Sequence, residues 1–149
     1  MVDRYNGDPK LTLDENGADL TYQGGQPVMD AGIENAALIS LHTESGWFGN
    51  TFFRKAVQKL GGRYMDEANK ALSFDQINRI RNAAQSDLDW MVEEGIADTV
   101  FANVTNPIAR SINTIIQITP PNVDPTTFVL TKAGLNWQAQ KLDPAYKKV

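Results

Sequence analysis

Between Ser73 and Thr105 the chain changes period, and that change limits its fold more than any other feature. Ile77, Ile80, Ala84, Leu88 and Met91 recur at helical spacing, with Arg79, Asn82, Asp89 and Glu93 on the opposite side. Ser73-Phe74-Asp75-Gln76 has the form of a capping box, in which Ser73 and Gln76 each satisfy a free backbone N–H at a helix start. Gly95 stands where a left-handed cap belongs, with apolar Ile96 just beyond it. The spacing predicts one helix over Ser73–Glu94. Past Gly95 the period drops to two: Val100, Ala102 and Val104 alternate with Phe101, Asn103 and Thr105. A long amphipathic helix followed by alternating strands indicates an α+β fold with a C-terminal antiparallel sheet.

The strands continue downstream. Asn106-Pro107 turns the chain into a segment over Ser111–Thr119, with Ile112, Ile116 and Ile118 on one face and Ile115 on the other. Pro120-Pro121 ends it, because proline cannot donate to a ladder. Thr126–Thr131, which contains Phe128, reads as a further strand, so a sheet of about three strands is expected. The tail from Gln138 to Val149 is polar and basic, and it is expected to form a flexible arm, as are residues 1–9.

Upstream, Lys10–Leu13 and Asp19–Tyr22 alternate around an Asn16-Gly17 turn, the signature of a β-hairpin that needs a docking surface. Asp30 is the expected N-cap of a helix reaching about Thr43, with Ile33, Ala37, Leu38 and Leu41 on one stripe. Thr51–Leu60 is expected to be a second helix, with Phe53, Val57 and Leu60 on one side and Gly61-Gly62 as its stop. Asp66–Leu72 adds a helical turn. Between the first two helices, Gly46 and Gly49 bracket Trp47-Phe48, and both rings are expected to anchor the corner. With 149 residues, the whole of 1–149 fits one domain.

The sequence offers little chemistry. His42 is the only histidine, and its neighbours Glu44 and Ser45 do not make a triad, which requires adjacency in space. The absence of cysteine removes disulfides, thiolate catalysis and cysteine-ligated zinc. No calcium loop and no phosphate-binding glycine loop occurs. No catalytic, cofactor-binding or metal-binding residue is assigned, and no cofactor is expected. A net charge of −4 with scattered basic residues argues against nucleic-acid binding. No apolar run is long enough to span a membrane, and Met1–Gly7 lacks the apolar core of a signal peptide, so synthesis in the cytoplasm is the simplest expectation. The large anchors Trp47, Phe48, Trp90 and Trp137, and the strand Ser111–Thr119, are instead suited to contacts with other proteins.

Two motifs carry a resemblance. Ala37-Leu38-Ile39-Ser40-Leu41-His42-Thr43 leads into Gly46-Trp47-Phe48-Gly49-Asn50, and a later helix ends Trp90-Met91-Val92-Glu93-Glu94-Gly95-Ile96-Ala97. Over about residues 8–137 the order of elements resembles the Mu-type phage tail protein family. Those are small baseplate wedge subunits related to the lysozyme-like wedge protein of contractile-tailed phages and to its type VI secretion counterpart. The resemblance implies a structural role in the virion, between baseplate and contractile sheath. Its implied partners are other baseplate wedge proteins and the tail sheath protein, with tail tube or hub proteins as further candidates. The candidate structural or interface residues are Trp47, Phe48, Glu93, Glu94, Ile112, Ile115, Ile116, Ile118, Phe128 and Trp137, of which Glu93 or Glu94 is the part that the resemblance implies. The secretion branch carries a Glu-Pro-Arg motif before its first long strand; here Glu93-Glu94-Gly95-Ile96-Ala97 lacks Pro and Arg, so contacts attributed to that motif do not transfer. Two other readings stand beside it: a small cell-wall hydrolase using Glu44 or Asp66 as acid, and an adaptor binding a peptide on its sheet edge.

Overall fold

The computed structural model describes residues 8–14, 17–30, 33–44, 46–52, 61–122 and 124–142. Six short strands come first: β1 (Asp8–Pro9), β2 (Leu11–Asp14), β3 (Gly17–Leu20), β4 (Tyr22–Gln23), β5 (Gln26–Pro27) and β6 (Met29–Asp30). The helices among the described residues are α1 (Ile33–His42), α2 (Tyr64–Ala68), α3 (Phe74–Leu88) and α4 (Trp90–Glu93), with a 3₁₀ turn over Phe48–Phe52 between the first two. Four strands close the chain: β7 (Thr99–Thr105), β8 (Ser111–Thr119), β9 (Thr126–Ala133) and β10 (Asn136–Lys141).

The period-two stretches build one antiparallel sheet in the order β10-β9-β8-β7. Ile116 lies between Ala102 and Phe128, and Thr114 lies between Val104 and Leu130. All six are buried and form the floor of the core. The apolar stripe of α3 covers it, with Ile80, Ala84 and Leu88 fully enclosed. α1 adds Ala37, Leu38 and Leu41 to the same cluster. Tyr64 of α2 is also completely buried, and its hydroxyl meets the Thr114 hydroxyl at 2.6 Å. A buried hydroxyl needs such a partner to offset its lost hydration.

The helix start at Ser73 forms as its sequence specifies: Gln76 N–H donates to Ser73 Oγ (3.1 Å). The reciprocal half of the box is absent. Gln76 Nε2 instead reaches the Glu67 carbonyl (2.7 Å) and Glu67 Oε2 (2.8 Å), tying α3 to α2. The expected single helix over Ser73–Glu94 is two, because at Asp89 the ladder tightens to a bond from Asp89 N–H to the Ser86 carbonyl. The C-terminal cap forms in full. Gly95 has φ 74°, Gly95 N–H donates to the Val92 carbonyl and Ile96 N–H to the Met91 carbonyl.

Several expectations are corrected. The C-terminal sheet has four strands, and the tail begins as β10, paired with β9 from Asn136↔Ala133 to Lys141↔Phe128. Trp137 and Ala139 point to the core, so even a polar strand obeys the inward–outward alternation. Residues 143–149 lie outside the described residues. The N-terminal arm likewise ends in structure, with Asp8–Pro9 paired to Met29–Asp30. Asp30 therefore sits in β6 and is not the N-cap of α1. The expected hairpin is present as β2–β3. It docks through Asn35 of α1, whose Oδ1 accepts Leu11 N–H (3.0 Å) and whose Nδ2 donates to the Pro9 carbonyl (2.8 Å). Of the expected helix Thr51–Leu60, residues 53–60 lie outside the described residues, while Thr51 and Phe52 end the 3₁₀ turn. The helical turn placed at Asp66–Leu72 is α2, one turn earlier.

Candidate interaction surfaces

The chain leaves α1 at Glu44 and returns at Gly61, and the two points are pinned together. Gly62 N–H donates to the Thr43 carbonyl (2.9 Å), and Glu44 and Gly62 form a parallel bridge. Gly61 is required for this closeness. Gly61 has φ 98°, and a Cβ there would fall 2.2 Å from the Glu44 carbonyl oxygen. A Cβ on Gly62 would fall 2.0 Å from Asp87 Oδ1. That carboxylate reaches past Gly62 to accept Arg63 N–H (3.1 Å) and Tyr64 N–H (2.9 Å), capping α2 from a neighbouring helix. Gly61-Gly62 thus works as a neck.

Above the neck, the turn turns its rings outward. Trp47 N–H bonds the Glu44 carbonyl, Asn50 N–H bonds the Trp47 carbonyl, and Thr51 Oγ1 bonds the Phe48 carbonyl. The Trp47 ring lies on Gly49, where any Cβ would collide with it. Trp47 is 37% exposed, Phe48 73% and Phe52 78%. This corrects the expectation that Trp47 and Phe48 are core anchors of the corner. The aromatics that pack on α1 are Tyr64, edge-on to His42 (centroids 6.3 Å), and Trp90, whose Nε1–H donates to Ser40 Oγ (2.9 Å).

The sheet divides the remaining candidates. Ile112, Ile116, Ile118 and Phe128 are buried on the helix side and closed to any partner. Trp137, expected next to a mobile arm, is half-buried, edge-on to His42 (centroids 5.0 Å) and tilted against Tyr64 (5.8 Å). Ile115 points to the opposite, open face, as its position off the main stripe predicts. The sheet's two lysines, Lys132 and Lys141, pair with the core-side residues Ile112 and Phe128. Among the described residues, the strand positions on that face are uncharged, mainly Thr, Asn and Gln around Phe101, Ile115 and Val129. Glu93 and Glu94 are exposed at the end of α4.

The two sheet edges are unlike. Gln85 of α3 treats β7 as a neighbouring strand would: its Nε2 donates to the Val100 carbonyl (2.8 Å), and its Oε1 accepts Ala102 N–H (3.0 Å). That blocks strand addition in the middle of β7. β10 is the other edge of the sheet, with β2 packed beside it.

No family model, curated protein or solved structure matches this chain.

A cleft of about 370 Å³ between α2 and α3 holds Glu67 and Asp87, a carboxylate pair that periodicity alone did not single out. Their environments differ. Gln76 and then Lys70 hold the Glu67 carboxyl below its ordinary range, whereas burial pushes Asp87 up against its two backbone bonds. Such divergence marks acid–base pairs when the groups are free to meet a substrate. Here both Asp87 oxygens are spent on the α2 cap, and both Glu67 oxygens are engaged by Gln76, Lys70 and Arg63. Glu44 and Asp66, the acids of the hydrolase reading, are exposed and lie outside this cleft. Among the described residues no cluster of His, Cys, Asp and Glu could hold a metal, and no helix is long and apolar enough to cross a membrane.

Proposed function

We propose that this chain is a structural subunit of a contractile-tail baseplate, a wedge-type protein joining neighbouring wedge proteins to the tail sheath within the virion. The observation that carries the reading is the aromatic turn. Gly46–Asn50, one of the two motifs behind the family resemblance, presents Trp47 and Phe48 to solvent, with Phe52 beside them, on a pinned neck. Large aromatics at a rigid exposed turn are the residue types that dominate protein–protein binding energy. The described strand residues on the Ile115 side of the sheet are uncharged, which supports the same reading, since charge depletion distinguishes the centre of an interface. Tube or hub proteins are further candidate contacts, and neither nucleic acid nor membrane belongs to the role.

Assembly of particles around a Phe48→Ala/Phe52→Ala double variant tests this. The free variant should melt like the parent, yet fail to enter baseplates with sheath attached. Incorporation at the parental level would sink the proposal. The role is structural and not enzymatic, so the pure protein should leave peptidoglycan intact. Clearing that disappears in Glu44→Gln would restore the hydrolase reading.

A further inference from the structure

A second concave surface lies where the C-terminal end of α2 meets the β9–β10 turn and the start of β8. It is a groove of about 270 Å³. Its apolar lining comes from Leu72, Ile112 and Leu135 with two alanines, and Leu135 is 89% exposed. Among the described residues its charged lining is Lys70, Arg110 and Lys132, with no carboxylate. In a chain of net charge −4 this is a local reversal of sign.

The cations are incompletely matched. Lys70 meets Glu67 at 3.0 Å. Lys132 Nζ donates to the Ala68 carbonyl (2.9 Å) and stands 5.9 Å from the Trp137 ring centroid. An ammonium has three N–H donors, so capacity remains, and partial burial lowers the Lys132 pKa. No described carboxylate pairs with Lys132 or Arg110. Arg110 also holds φ 61°, an uncommon conformation for a residue with a side chain, at the turn that ends in the bond from Gly134 N–H to its carbonyl.

We propose that this groove is a docking site for an acidic peptide segment of a protein partner, with an apolar side chain seated against Leu72 and Leu135 and a carboxylate completing Lys132 and Arg110. The volume lies just under the range of about 300–1,000 Å³ typical of small-molecule pockets, and it suits one or two side chains. Charge complementarity selects an acidic partner. The groove is concave and takes one or two side chains, which suits a peptide segment better than the broad surface of a membrane. The inference does not depend on the baseplate reading.

The test is an NMR titration of the full chain with two synthetic peptides, one with a pair of leucines flanked by Asp and Glu, the other with the same leucines flanked by Lys. The acidic peptide should shift amides in 68–72, 110–112 and 132–135, and its affinity should fall with added salt. Arg110→Asn removes the charge while suiting the left-handed backbone, so the fold is retained. It should weaken binding about threefold to fivefold, the scale of a partly exposed ion pair. Leu135→Ser, at an exposed position, should weaken it as well. Equal shifts from both peptides, shifts from neither, or parental affinity in both variants would overturn the proposal. So would binding to phosphatidylglycerol vesicles without peptide binding, which would make the groove a lipid site.

Discussion

Phe48 and Tyr64 show how little residue type says about energetic role. Phe48 is mostly exposed, and its truncation to Ala should change stability by no more than about 0.5 kcal/mol, a shift of about 1–2 °C in Tm. Tyr64→Phe removes one oxygen, but it leaves the buried Thr114 hydroxyl without its 2.6 Å partner. That should cost about 1–3 kcal/mol, and a differential scan of the two variants side by side would reverse the ranking expected from size. His42 adds a pH dependence. Its Nδ1–H donates to the Leu38 carbonyl (3.1 Å), while Nε2 is buried with no partner among the described residues. Burial holds its pKa below the ordinary 6.5, so the folded state favours the neutral ring. Its contribution is fully present above the unfolded-chain pKa and is lost as pH falls through that value toward the folded one. Thermal melts should therefore show stability declining on the acid side of 6.5, and His42→Gln should flatten that part of the profile. An unchanged profile in the variant would assign the decline to carboxylates.

At the scale of elements, the notable work is done by single amides that join one element to the next. Gln85 closes the middle of the β7 edge, and Asn35 holds the N-terminal strands to α1. Each makes two hydrogen bonds to the element it holds, worth about 0.5–1.5 kcal/mol apiece. Gln85→Ala should lower Tm by several degrees and leave an unpaired edge, so light scattering should report concentration-dependent association. Asn35→Ala should act locally. Amide exchange should speed up in residues 8–30 while β8 and β9 keep their protection, because the central strands open only with the whole fold. Uniform acceleration across both regions would mean that the N-terminal strands are integral to the core.

For the whole molecule, exchange in the free and assembled states separates core from interface. The helix-side face of the sheet is already closed, so assembly should protect the 46–52 turn and the open face around Ile115, leaving Ile116 and Phe128 unchanged. Equal protection of the turn in both states would move the assembly surface elsewhere. The sequence by itself determined what local physics enforces: the stripe of α3, the Ser73 and Gly95 caps, the β2–β3 hairpin, and β7 to β9 with their buried face. Each depends on spacing within a few residues, which the chain displays openly. Only the tertiary structure decided the direction of Trp47 and Phe48, because apolar rings suit a core corner and an exposed turn equally. It also decided that a polar tail becomes β10, since pairing supplies a stability that six weakly apolar residues do not advertise. Long-range chemistry was hidden for the same reason. Asp87 finds its donors at Arg63 and Tyr64, and the cationic groove gathers Lys70, Arg110 and Lys132 from three separate elements, distances in sequence that no periodicity encodes.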